Sequence, residues 1–291
     1  MPRVTANGLE LEYETFGDPT DPPLVLIMGL SAQMTNWPEG FCNLLAEQGY
    51  HVVRFDNRDI GLSTYLDDLP RVDLPAVLGG DLSTAPYRLS DFADDTVGLL
   101  DALGIRKAHI VGASMGGMIA QQLVIDHPER VRSLCSIMST TGDRSVGHST
   151  QEAMGVLLRP AAKDRESAIA GSVAAGRIIG SPGYPASEEE LLVKATAAYD
   201  RAYHPAGVAR QMAAIAASPD RTEGLRKVAV PTMVIHGADD PLVNVSGGEA
   251  TATAVPGASL LIIPGMGHDL PTPLWTKIAD AIVANAQRAD G

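Results

Sequence analysis

One short run constrains this chain more than any other: Gly112-Ala113-Ser114-Met115-Gly116. It lies where an apolar stretch, His109-Ile110-Val111, gives way to a helical pattern beginning Gly117-Met118-Ile119-Ala120. A strand-to-helix turn this tight bends the backbone sharply, which small neighbours permit, and leaves the serine hydroxyl at its tip. The helix N-terminus also directs backbone N–H groups toward that tip and favours negative charge developing there. The spacing alone is weak, because glycine and serine are common. The strand before it and the helix after it raise its value over the alternative, a glycine-rich turn with an incidental serine.

The rest of the chain fits that junction. Asn7-Gly8 is a two-residue turn signal, and Leu9, Leu11 and Tyr13 alternate with Glu10, Glu12 and Glu14, which predicts a hairpin. Short apolar runs follow at 24–28, 51–55, 108–111 and 133–138, separated by helical patterns. One helix centres on Phe41, Leu44 and Leu45; another is capped by Ser90, turns Phe92, Val97, Leu100 and Leu103 inward and ends at Gly104. Strand–helix alternation of this kind predicts a mostly parallel central sheet with helices on both faces, an α/β fold. From 141 to 222 the rhythm changes. Strand-like runs vanish and alanine-rich helical segments are broken by Pro160, Pro182, Pro185, Pro205 and Pro219, with a capping box at Ser187 and Glu190. Strand patterns return at 230–236 and 260–263. The chain therefore divides into an α/β core, 1–140 and 223–291, interrupted by a helical insertion, 141–222.

Composition removes several function classes. A formal net charge of -13 argues against nucleic acid, which requires a basic face. No stretch approaches the ~18–20 apolar residues of a membrane span, and the start, Met1-Pro2-Arg3, lacks the layout of a signal peptide. The two cysteines, Cys42 and Cys135, form no disulfide framework, and no Cys/His spacing suggests a metal. A cytoplasmic protein without metal or cofactor is expected, as a monomer or homodimer.

A serine hydroxyl is a poor nucleophile and needs a base, and the base needs an orienting acid. Of seven histidines, His268 is the best placed. It sits in Pro264-Gly265-Met266-Gly267-His268, a loop directly after the last strand-like run, from which an imidazole can reach over the serine. The segment Val234-Ile235-His236-Gly237-Ala238-Asp239-Asp240-Pro241 is a strand ending in an acidic turn. Either Asp240 or Asp239 could accept the imidazole N–H; motif spacing favours Asp240, leaving the other to cap the turn. Asp143 is a lesser candidate in a solvated loop.

With these residues in place, the chain resembles the α/β-hydrolase superfamily from its N-terminal hairpin to His268. Arg54-Phe55-Asp56-Asn57-Arg58-Asp59-Ile60-Gly61-Leu62-Ser63 is similar to the family's Asp-x-Arg-Gly-x-Gly-x-Ser segment, and His127-Pro128-Glu129-Arg130-Val131 and Gly265-Met266-Gly267-His268 are also family-like. Two departures narrow it: Asp59 replaces the usual glycine, and Met28-Gly29 replaces the usual His-Gly. With Trp37-Pro38, these look like the branch of aclacinomycin methylesterase and related bacterial carboxylesterases. The resemblance implies serine hydrolysis of a carboxylic ester, with Ser114 as nucleophile, His268 as base, Asp240 as acid, and the backbone N–H groups of Leu30 and Met115 as the oxyanion hole. It also implies that 141–222 is a cap, or lid.

The substrate expected is a small to medium, largely apolar ester. Cap residues Met154, Val156, Leu157, Leu158, Ile178 and Ile179 would roof its pocket or bury themselves in the cap's own core; Gly29, Met34 and Trp37 would line the opposite wall. The alternatives are a methylesterase of a polycyclic natural product, a cofactor-free perhydrolase or C–C hydrolase using the same triad, and a non-catalytic binder on the same scaffold.

Overall fold

The computed structural model describes residues 2–290. The elements in chain order are β1 (Arg3–Ala6), β2 (Leu9–Phe16), β3 (Pro23–Ile27), α1 (Glu39–Glu47), β4 (His51–Phe55), α2 (Leu74–Leu78), α3 (Leu89–Ala102), β5 (Ala108–Ala113), α4 (Met115–Asp126) and β6 (Val131–Ile137). After them come α5 (Gln151–Leu157), α6 (Arg165–Ile179), α7 (Glu188–Arg201), α8 (Pro205–Ala217) and α9 (Thr222–Leu225). The chain closes with β7 (Thr232–Gly237), α10 (Ser246–Ala254), β8 (Ser259–Ile263) and α11 (Trp275–Gln287).

The strands form one eight-stranded sheet in the order β1-β2-β4-β3-β5-β6-β7-β8. β1 and β2 pair antiparallel through the Asn7-Gly8 turn, β2 pairs antiparallel with β4, and all other neighbours are parallel. The parallel strands read as continuous apolar runs because side chains on both of their faces are buried, and successive residues point to opposite faces. Val25, Ile27, Val53, Phe55 and Ile110 pack beneath α3 and α4. Their neighbours Leu24, Leu26, Val52 and Val111 pack on the other face against α1 and α11. Two apolar layers thus clamp the sheet.

The expected cap of α3 is shifted. The helix starts at Leu89, so Ser90 lies inside it; the Asp91 carboxylate instead accepts the Arg88 N–H at 2.8 Å. Its other end is as expected: Gly104 takes φ 69°, and the Ile105 and Gly104 amides return to the carbonyls of Leu100 (2.8 Å) and Asp101 (3.1 Å). On the inner side of α3 Asp95 is buried, paired with Arg58 at 2.5 and 2.6 Å and with Asn7 at 2.9 Å. That pairing is what permits a buried carboxylate.

Between β6 and β7 lie α5 to α9 and no strand. The Ser187–Glu190 capping box is formed at the head of α7. Helices α6 and α7 share a small core of Ile169, Val173 and Ala195, with Leu191 and Tyr199 packed against it. None of the six apolar residues expected to roof a pocket or fill this core belongs to it. Met154 and Leu158 are exposed, and Val156, Leu157, Ile178 and Ile179 are half-buried. Among the described residues, no helix is long and apolar enough to cross a membrane.

Candidate active site

The C-terminal ends of parallel strands, where helices and loops diverge, are where open α/β sheets place their chemistry. Ser114 stands there, between β5 and α4, at φ 57° and ψ -122°. A non-glycine residue with positive φ is strained and persists only where its surroundings over-determine it. Here they do. A Cβ on Gly112 would come 2.0 Å from the Gly116 carbonyl oxygen, and one on Gly116 would come 2.1 Å from the carbonyl oxygen of Ile27. The turn is therefore pressed against β3, and only glycine fits at 112 and 116. The Ser114 amide donates to Ile137 O at 2.9 Å, pinning the turn to β6 as well.

Two more loops bring their side chains to the same hydroxyl. His268, on the loop after β8, has its Nε2 2.9 Å from Ser114 Oγ and its Nδ1 2.7 Å from Asp240 Oδ2, on the turn after β7. The Asp240 side chain has no exposed surface, and its Oδ1 accepts the Leu242 and Val243 amides at 2.8 and 2.9 Å. Those two donors fix the carboxylate's plane, so Oδ2 faces the imidazole. A carboxylate accepts at Nδ1 only from an N–H, which leaves the Nε2 lone pair free to accept from the Ser114 hydroxyl. Asp239, its alternative, faces away and accepts the Gly265 amide at 2.8 Å, capping the turn. Asp143 closes its own turn on Ser145. His236 lies beneath Asp240, its Nε2 3.6 Å from Oδ2; burial pushes its pKa down, and Nε2–H donates to Val243 O at 2.8 Å. It is a neutral support beneath the Asp240 carboxylate, and nothing in the sequence marks it beyond its position at a strand end.

Gly29 follows β3 and abuts Ser114: a Cβ there would lie 2.9 Å from Ser114 Cβ. Leu30 is next in the chain, half-buried and packed against the apolar layer beneath α3 and α4. Met115 heads α4, and its N–H, in the first position of the helix, has no intrahelical acceptor. The residues from 29 to 34 carry a second positive-φ position, Ser31 at 61°.

Two expected wall residues are elsewhere. Met34 and Trp37 are both fully buried, with no surface to offer a ligand. Trp37 stacks on Phe41 with ring centroids 5.6 Å apart, because a large apolar residue just before an amphipathic helix closes over that helix's inner face. Met34 contributes its amide, which donates to the buried Asp56 carboxylate at 2.7 Å. A set of polar ties around the site also leaves no mark in the sequence. Asp59, noted only as a departure from glycine, is fully buried and accepts from Arg210 on α8 (2.9 and 2.6 Å), Tyr87 (2.7 Å) and the Leu66 amide (2.8 Å). Burial alone would raise its pKa; these donors hold it below the usual carboxylate range. A buried acid far along the chain from its arginine leaves no local signal. Among the described residues, no group of three His, Cys, Asp or Glu side chains is arranged to hold a metal ion.

Comparison with known proteins agrees with this architecture. The chain is 29% identical to rhodomycin D methylesterase of Streptomyces sp. (strain C5), with 98% of each chain covered. It is 28% identical to 3-oxoadipate enol-lactonase 2 of Acinetobacter baylyi, over 84% of this chain and 82% of that one. The enol-lactonase structure from Burkholderia xenovorans LB400 superposes with a TM-score of 0.77 at 22% identity, covering 98% of this chain and 100% of that one, which speaks for the fold alone. The sequence pattern of the alpha/beta hydrolase fold matches residues 22–271, and the chain belongs to the α/β-hydrolase family.

Proposed function

We propose that this carboxylic ester hydrolase works through an acyl-enzyme on small to medium, largely apolar esters, with Ser114, His268 and Asp240 as its triad. The observation that carries the reading is the unbroken chain from Asp240 Oδ2 to His268 to Ser114 Oγ, 2.7 and 2.9 Å. In the first step His268 Nε2 takes the Ser114 proton as Oγ attacks the ester carbonyl. The imidazolium is stabilised by Asp240, and the tetrahedral oxyanion is received by the backbone N–H groups of Leu30 and Met115. Collapse of that intermediate expels the alcohol, which takes the proton from His268. Water, activated by the same imidazole, then hydrolyses the acyl-enzyme and restores Ser114.

In this reading 141–222 is a cap over the site, with 1–140 and 223–291 as the core. The half-buried Ile178 and Ile179 end α6 beside the histidine loop and are its best candidates for an apolar pocket wall. Gly29 leaves room at the serine for the carbonyl carbon. A second reading, the methyl ester of a polycyclic natural product, is favoured by one observation: the methylesterase relative aligns over 98% of both chains.

Ser114→Ala is expected to remove p-nitrophenyl ester turnover, and a fluorophosphonate probe is expected to label Ser114 in the parent. Wild-type turnover in the variant would overturn the mechanism. A panel of short-acyl, long-acyl and bulky methyl esters separates the two substrate readings.

A further inference from the structure

The chain after β3 has no regular structure to aim Leu30. It leaves the strand, passes through Ser31 in the left-handed region at φ 61°, and reaches a short 3-10 turn at Met34–Asn36. A serine holds that conformation only if something outside the loop compensates for it. Two glutamines do so. Gln211, fully buried on α8, accepts the Ser31 N–H through Oε1 at 3.1 Å and donates from Nε2 to the carbonyl of Arg58 at 2.8 Å. Gln33 reaches the opposite way: its Nε2 donates to the carbonyls of Ala198 (2.7 Å) and Ala202 (3.0 Å), at the end of α7. Arg201 closes the ring, donating to Gln33 Oε1 at 2.5 Å and pairing with Asp56 at 2.7 Å.

Gln211 is, with Arg210, one of the two polar side chains that α8 buries, among Gly207, Met212, Ala213, Ala214 and Ala217. Both of its hydrogen bonds go to backbone of the core, one of them a single peptide away from the Leu30 amide. We infer that Gln211 is a positioning residue for the oxyanion hole: from α8 it fixes the Leu30–Ser31 peptide and so the direction of the Leu30 N–H. This inference rests on the acyl-enzyme reading above, in which that N–H receives the oxyanion. It couples the chemistry to the seating of α8. Because the oxyanion forms only as the carbonyl is attacked, the coupling acts on the rate of the chemical step and not on substrate binding.

The test uses the full chain, with active serines counted by fluorophosphonate titration. Gln211→Met keeps the volume and removes both hydrogen bonds. Per titrated serine, kcat is expected to fall at least about tenfold with KM within about twofold, since losing an oxyanion donor outright costs about 10²–10³. The Ki of a trifluoromethyl ketone, whose serine adduct carries the same oxyanion, is expected to rise by the same factor. Gln211→Glu keeps the oxygen that Ser31 needs and is expected to recover most of the kcat; Gln211→Leu, which also lacks that oxygen, serves if the Met variant does not fold. An unchanged kcat and Ki in either variant lacking the Ser31 bond, or equal losses in Met and Glu variants, would overturn the inference. A parent enzyme that neither binds the ketone nor loses turnover in Ser114→Ala would instead sink the serine mechanism beneath it.

Discussion

The two halves of the site are built by different means. The serine side is fixed by backbone sterics: Gly112 and Gly116 let β5, α4 and β3 press together until Ser114 has one conformation available. The other half is held by hydrogen bonds across loops, and many of its partners come from the helices between β6 and β7. Ile179 O accepts the His268 amide at 2.7 Å, Ser181 Oγ accepts the Gly267 amide at 2.9 Å, and the Gly183 amide donates to Gly265 O at 2.9 Å. Gln211 and Arg210 do the same for the loops around Ser31 and Asp59. Steric constraint demands particular small residues at fixed spacing. Hydrogen-bond constraint can be met by many side chains from many places.

The sharpest probe of the hydrogen-bonded chain that ends on Ser114 leaves its shape alone. Asp240→Asn retains an oxygen for the Leu242 and Val243 amides, so the turn is expected to survive. The amide nitrogen now donates to His268 Nδ1, which puts the ring proton on Nε2, where it cannot accept from Ser114. A fall of about 10⁴ in kcat with an unchanged melting temperature is expected. Loss of activity in step with loss of folded protein would show that Asp240 serves the fold before the chemistry.

The helical half is expected to fail differently. Arg210→Met strips the fully buried Asp59 of its arginine and leaves Tyr87 and the Leu66 amide as its donors, with His204 Nε2 3.9 Å from Oδ1. Removing one member of a buried pair costs about 3–5 kcal/mol, because the other charge remains desolvated. Urea unfolding measures this directly, with kcat per folded molecule falling less than in Asp240→Asn. A change under about 1 kcal/mol would mean that apolar packing, not the ion pair, seats α8.

The same contrast explains what the sequence disclosed. Ser114, His268 and Asp240, which the structure brings into one hydrogen-bonded chain, each lie at a strand end with a local signature: glycines around the serine, a glycine-rich loop at the histidine, an acidic turn after β7. The sheet could be read because burial on both faces writes itself as apolar runs at 51–55 and 108–111. Trp37 and Met34 were misplaced on a pocket wall because residue type says that a side chain will be covered, not by what; here the cover is Phe41 and the core. Ser90 was a good cap by type, yet Asp91 reaches the Arg88 amide first. The short α2, Leu74–Leu78, carries too few residues for a period to show. Gln211 and Arg210 are polar residues on the alanine-rich α8 and Gln33 lies in the loop before the 3-10 turn, and the partners Ser31, Asp59 and Ala198 lie more than 140 positions away in the chain.

A finer difference lies in how the histidine loop responds to pH. Asp269, next to His268, accepts from the Ser181 hydroxyl, and its carboxyl is pushed up by burial, against the lowering influence of Ser181, Lys194 and His268. A carboxyl whose folded pKa lies above its unfolded one binds more protons in the native state. Stability from this group is therefore present at low pH and declines as pH climbs from the unfolded value through the folded one. Asp269→Asn removes that titration while keeping an oxygen for Ser181. The variant is expected to gain stability relative to the parent as pH rises through that window, and to differ little below it, in paired urea titrations from pH 4 to 8. The gain is expected to be the smallest of these effects, since the group is partly exposed and three neighbours already favour its charge. A parallel pH dependence in both proteins would show that Asp269 titrates alike in the folded and unfolded chain, and would leave the hold on the histidine loop to its backbone hydrogen bonds with Ile179 and Gly183.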